Sequence, residues 1–209
     1  MKYKKKRVIP LCIFATVLII LAATPLILPN LLHFDYAREI SPEETQLRNQ
    51  YIATASQWIG ASWNDCSHKP IVDIYNNHRP LAQGYTVTYT DKWCATFVST
   101  IAIQTELTTI IPTECGCQRQ IGLFRDMDRW EESDDYIPLP GDIIYYSTEG
   151  AADEDNTGWS DHVGIVCGIL GNCIKVIEGN VDGIVAVRYV FAGDARIRGY
   201  GLPDYASIE

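Results

Sequence analysis

The sequence predicts an α+β domain preceded by one transmembrane helix. Three observations carry this. Residues 8–32 form an apolar run with no Asp, Glu, Lys or Arg. The following hundred residues place apolar side chains at helical spacing, with clear start and stop signals. After Pro138-Leu139-Pro140-Gly141 the pattern changes to short β-rich runs separated by turns. Helices first and an antiparallel sheet afterwards is the order of an α+β domain, with the N-terminal helices packed on the sheet.

The basic tip, residues 1–7, holds Lys2, Lys4, Lys5, Lys6 and Arg7. A helix of about 20 apolar residues crosses a bilayer core, and the run at 8–32 is long enough. Basic residues before it and none just after it orient the N-terminus to the cytoplasm and the rest outside. A cleaved signal peptide has a shorter apolar region ending in an A-x-A-like site. Ala22-Ala23-Thr24 matches that poorly, and Pro25 and Pro29 end the helix. Cys12 lacks the small preceding residues of a lipoprotein site. The expectation is therefore an uncleaved single-pass anchor in the cell membrane. A linker at 33–42 follows, then one extracytoplasmic domain at 43–209. Five of the 17 basic residues lie in the tip and none of the 26 acidic ones does, so the domain itself is strongly acidic. Such a surface argues against nucleic acid, whose binding rests on neutralising phosphates.

Ser41-Pro42-Glu43-Glu44 predicts the first helix: Ser41 caps, Pro42 suits the first helical position, and Glu44 completes a capping box. Leu47, Tyr51, Ala55, Trp58 and Ile59 follow at helical spacing, and Gly60 ends the helix. Ile71 to Tyr75 reads as a short helix, and Gly84 to Thr90 as extended chain. Trp93, Phe97, Val98, Ile101 and Ala102 share a helical face, with Asp91 as N-cap and Cys94 in the first turn. Gly122 to Trp130 predicts a further helix. Strands are predicted at Ile143–Tyr146, His162–Ile169, Cys173–Glu178, Val185–Val190 and Ile197–Tyr200.

Cys94 at a helix start, His162 at a strand head, and Glu178 and Asn180 at the next strand's end suggest nucleophilic catalysis. A helix N-terminus and a nearby imidazolium both stabilise a thiolate. A base needs a third group to orient it. Taken singly, Cys94 reads as a small buried hydrophobe, His162 as a structural histidine, and Glu178 as a solvated strand-end charge. Strand alternation tests the set. A two-residue turn at Gly171-Asn172 puts His162 and Glu178 on opposite faces, whereas a three-residue loop or a bulge puts them on one face. Gly164 then leaves space beside the glutamate.

Trp93-Cys94-Ala95-Thr96-Phe97-Val98, Pro140-Gly141-Asp142, Asp161-His162-Val163-Gly164-Ile165-Val166 and Glu178-Gly179-Asn180, in this order, resemble the CHAP family. These are the cysteine- and histidine-dependent amidohydrolases/peptidases, related to NlpC-type cell-wall hydrolases with a papain-like fold. The resemblance covers roughly residues 43 to 203. It implies Cys94 as nucleophile, His162 as base, and Glu178 and Asn180 as the groups orienting it. It implies amide hydrolysis of peptidoglycan through a thioester, without a cofactor. The chain lacks a wall-binding repeat and carries the anchor, which favours local wall remodelling over release as a lysin. Trp93 and Trp159 are candidates for substrate binding. The alternative reading is a catalytically silent scaffold that binds wall peptides in an envelope or secretion complex.

Asp153-Glu154-Asp155-Asn156-Thr157-Gly158 resembles part of a calcium loop but lacks the full pattern, and reads as a solvated acidic loop. Cys66, His68, Cys115 and Cys117 raise a zinc question, yet their spacings are not those of structural zinc sites; no metal is expected. An external location also permits a disulfide from Cys66 to Cys115 or Cys117. Cys167 and Cys173 are expected to be unpaired.

Overall fold

Ser41 opens the first helix, α1 (Pro42–Ser56), where its hydroxyl accepts from the Glu44 N–H at 3.0 Å and Pro42 fills a position that needs no donor. The computed structural model describes residues 40–147 and 158–208. The predicted tip, the span at 8–32, most of the linker and the acidic loop up to Thr157 lie outside the described residues. Among the described residues no helix is long and apolar enough to cross a membrane.

Three more helices follow: α2 (Lys69–Asn77), α3 (Cys94–Gln104) and α4 (Cys117–Asp126). Every residue of α3 from Cys94 to Ala102 is buried. A helix apolar on all sides belongs in a core, and α3 packs against α1, α2 and the centre of the sheet. Its N-cap is Trp93, with no side-chain cap. Asp91, expected to cap it, instead accepts from the Thr88 N–H at 2.7 Å and the Tyr85 hydroxyl at 2.8 Å, folding the preceding loop onto itself. The fourth helix starts at Cys117, earlier than the predicted Gly122, and it ends before Trp130.

The sheet is antiparallel: β1 (Trp130–Glu131), β2 (Ile143–Tyr146), β3 (His162–Leu170), β4 (Cys173–Val181), β5 (Ile184–Phe191) and β6 (Ile197–Gly201), in the order β1-β6-β2-β3-β4-β5. The molecule is thus the α+β fold that the sequence predicts. Strand β1 was not predicted: two residues carry no alternation, and it exists through pairing with β6. Ile143, Tyr145, Val163, Ile165 and Ile177 face the helices, while Ile144, Tyr146, Val166, Val176 and Tyr200 form a second cluster on the other face.

The β3–β4 turn has two residues, with Leu170 opposite Cys173. The register then slips at Cys167, so that Val166 faces Val176 and Ile165 faces Ile177. This bulge brings Gly164 against Glu178. A Cβ at Gly164 would lie 2.5 Å from Glu178 Cγ and from Val176 Cγ1, so only glycine fits there.

Two close contacts tie helices to sheet. Arg48 of α1 is buried and bonds Glu44 Oε1 at 2.8 Å, Asp142 Oδ1 at 2.9 Å and the Pro140 carbonyl at 2.9 Å. Its guanidinium lies 4.4 Å from the Tyr205 ring, and the Tyr205 hydroxyl donates to the Gly141 carbonyl at 2.8 Å. Pro140-Gly141-Asp142 is therefore a docking point for α1. The second contact is at Gly179, where a Cβ would meet Phe97 Cβ at 2.5 Å. Gly179→Ala is expected to destabilise by about 1–3 kcal/mol, the cost of overpacking a filled core, read as a lower urea midpoint with an unchanged slope. An unchanged midpoint would show that α3 can move off the sheet freely.

Candidate active site

Cys94 is the first residue of α3 and is 4% exposed. The opening N–H groups of a helix have no intrahelical acceptor and carry partial positive charge. His162 begins β3 and Glu178 lies near the end of β4. The imidazole Nε2 lies 3.0 Å from Glu178 Oε2, leaving Nδ1 as the nitrogen open to the thiol. Glu178 is fully buried, and Arg188 Nε of β5 lies 2.8 Å from the same oxygen. That N–H is not aimed well enough for a hydrogen bond, so the contact is an ion pair. The Arg188 guanidinium lies 5.0 Å from the Tyr146 ring, which itself stacks 5.9 Å from the His162 ring. Tyr146 and Arg188 thus wall in the carboxylate and the imidazole.

The Cys94 thiol pKa is held well below its usual value. A hydrogen bond from the Cys117 thiol contributes most. Burial opposes it, and His162 adds a hydrogen bond and charge. The Cys117 thiol is pushed up by the same contact, so it stays protonated and donates. Burial pulls the His162 pKa down, but its bonds to Cys94 and Glu178 outweigh this and raise it to about 9. At neutral pH the arrangement favours a thiolate beside an imidazolium. That pair can attack a carbonyl and then protonate a leaving amine.

Cys94 lies between two clefts. One, of about 310 Å³, is lined by His162, Asn180, Asp182, Arg188 and Lys92. The other, of about 230 Å³, is lined by Cys117, Gln118, Arg119, Trp159 and Ser160. Trp159 is 71% exposed and lines this second cleft. Asn180 lines the first, in a left-handed conformation (φ 62°) where β4 bulges, but the imidazole nitrogen is held by Glu178. Trp93 corrects an expectation. It has no exposed surface and packs 5.6 Å from the His68 ring, because it ends the loop that seals α3 into the core. Arg188 and Tyr146 were not singled out from the sequence, and Cys117 was weighed there only as a zinc or disulfide residue.

Among the described residues no His, Cys, Asp and Glu cluster could hold a metal ion. The His68 ring is buried between the carbonyls of Ser62 and Tyr89, away from the Cys115-Cys117 pair. All six described cysteines are free thiols, so the disulfide considered for Cys66 is not formed.

A thiol at a helix start, an imidazole facing it and a buried carboxylate behind the ring have the geometry that a cysteine nucleophile with an oriented base requires. The family described as CHAP domain matches residues 84–180, the stretch that contains Cys94, His162 and Glu178. Nothing matches among curated proteins. Among solved structures, the chain is similar to Ly7917, crystallised with the hydrolyzing product of MDP, at 17% identity over 75% of this chain and 62% of that one, with a TM-score of 0.42. It is also similar to an NlpC/P60 family protein from Bacillus cereus, at 13% identity over 74% of this chain and 39% of that one, with a TM-score of 0.41. The chain thus spans 62% of the length of Ly7917.

Proposed function

We propose that this protein is a membrane-anchored peptidoglycan hydrolase that cuts an amide bond through a cysteine nucleophile. The observation that carries the reading is the meeting of Cys94, His162 and Glu178 at one cleft inside the stretch that matches the CHAP family. In this reading the Cys94 thiolate attacks the carbonyl carbon of an N-acetylmuramoyl-L-alanine amide or a stem-peptide bond. Backbone N–H groups at the start of α3 bind the developing oxyanion. The imidazolium gives its proton to the leaving amine, and a thioester remains on Cys94. His162 then takes a proton from water, which attacks the thioester and frees the acid. Glu178 holds the ring in place. Trp159 lines the cleft where a wall fragment binds.

The test is mass spectrometry of purified peptidoglycan after incubation with the protein. A free muramic-acid lactyl carboxyl marks an amidase, and a new peptide terminus marks an endopeptidase. Wall that gains neither end would sink the hydrolase reading in favour of a silent scaffold.

The anchor reading rests on the basic tip and the uncharged run at 8–32. The intact chain is expected to partition with membranes, and external protease to release a soluble domain beginning near residues 33–43. Mature protein that starts near Thr24 or Pro25 and is found free in the medium would make the run a signal peptide.

A further inference from the structure

Cys117 makes and breaks no bond to substrate in the chemistry above, where it only donates to the Cys94 sulfur, yet its own sulfur lies 3.6 Å from that of Cys94. Both residues open helices, α3 and α4, and both first turns face the same cleft of about 230 Å³. We infer that Cys117 is a resolving thiol: a peroxide oxidant links Cys94 and Cys117 in a reversible disulfide that closes the site.

A disulfide needs its sulfurs about 2.0 Å apart. The gap is small, and each cysteine sits at a helix end, where side-chain rotation does not disturb an element interior. The residue before Cys117 is Gly116, with only the Arg119 and Glu114 side chains near its missing Cβ, at 3.8 Å and beyond. The other described thiols are placed differently. Cys115 turns its sulfur to Glu114 Oε1 at 3.5 Å, Cys66 is exposed on a loop before α2, and Cys167 and Cys173 lie on the β3–β4 hairpin.

The steps balance. The Cys94 thiolate attacks one oxygen of hydrogen peroxide and the O–O bond breaks. The departing hydroxide takes a proton from His162 and leaves as water, with a sulfenic acid on Cys94. The Cys117 sulfur attacks the Cys94 sulfur as its own proton goes to the hydroxyl, and a second water leaves. Two thiols are oxidised and one peroxide is reduced. The disulfide blocks the nucleophile but spares it from further oxidation to sulfinic acid, which ordinary thiols cannot reverse.

The effect on activity rests on the hydrolase reading above, whereas the disulfide itself does not. The full-length protein is treated with hydrogen peroxide, its remaining thiols are alkylated, and it is digested with trypsin and a glutamyl endopeptidase. Cleavage after Glu106 and Glu114 separates the two cysteines. The expected product is a linked peptide pair two hydrogens lighter than its parts, with tandem spectra placing the bond on Cys117 rather than Cys115. Dithiothreitol is expected to restore wall hydrolysis in the wild type. In Cys117→Ser, Cys94 is expected to reach sulfinic acid, with no recovery relative to that variant's own untreated rate. Wild-type Cys94 found as sulfinic acid, or bonded to another cysteine, with no link to Cys117, would overturn the inference. Peptide mapping reads the bond even in a chain with no hydrolase activity, so failure of the two readings is distinguishable.

Discussion

Cys94→Ala is expected to remove wall hydrolysis, and His162→Ala to lower kcat/KM by about 10²–10⁴, the usual worth of a positioned acid–base group. Both variants should keep the wild-type far-UV spectrum, because Cys94→Ala removes only one sulfur at the edge of the core and His162 stands at a strand head. The pH profile follows from the pair. In the proposed mechanism hydrolysis needs Cys94 as thiolate and His162 as imidazolium. The depressed thiol pKa sets the acid limb, and the imidazolium, raised to about 9, sets the alkaline one. Activity is thus expected to fall as pH rises through about 9, where the ring loses the proton it must give to the leaving amine. Glu178→Gln removes one of the groups that hold that proton on. It is expected to cost less than His162→Ala, since an amide still braces the ring, and to move the alkaline limb to lower pH. An alkaline limb unmoved by Glu178→Gln would take Glu178 out of the electrostatics of the site.

Arg48→Ala is expected to destabilise the domain by about 3–5 kcal/mol, the cost of leaving buried charges without their partner. Both carboxylates that Arg48 meets, Glu44 and Asp142, are buried. Asp142→Asn should cost less, because its side chain can still accept from the Leu139 N–H, now 2.8 Å from Oδ2. Urea unfolding followed by tryptophan fluorescence measures both. A loss below about 1 kcal/mol for Arg48→Ala would mean that α1 is held by apolar contact alone.

The residues that meet at the cleft were legible because each stands at the head or end of an element, inside a motif of local character. Cys94 precedes an unbroken apolar helix, and His162 and Glu178 flank a hairpin whose alternation can be counted. Counting also showed that a plain two-residue turn would separate them. Which remedy the chain uses was not legible, since a bulge and a longer loop give the same pairing. Arg188 and Tyr146 were illegible for a different reason: they reach Glu178 across strands, through pairings that exist only once the sheet is assembled. Cys117 was weighed as a metal or disulfide residue because its neighbour Cys115 made a conspicuous pair with it. Its actual neighbour, Cys94, lies on another helix. Trp93 adjoins Cys94 in sequence, but its ring fills the core.

The slip at Cys167 has a consequence for how this hairpin tolerates change in length. Strand β3 holds one residue more than its partner requires, and that residue is Cys167. An in-frame deletion inside a buried strand normally rotates everything beyond it to the wrong side. Removal of Cys167 alone would instead turn the interrupted ladder into a continuous one, with Val166 still opposite Val176 and His162 still on the side of Glu178. Removal of Val163 or Ile165 would turn His162 away from the carboxylate without altering either residue.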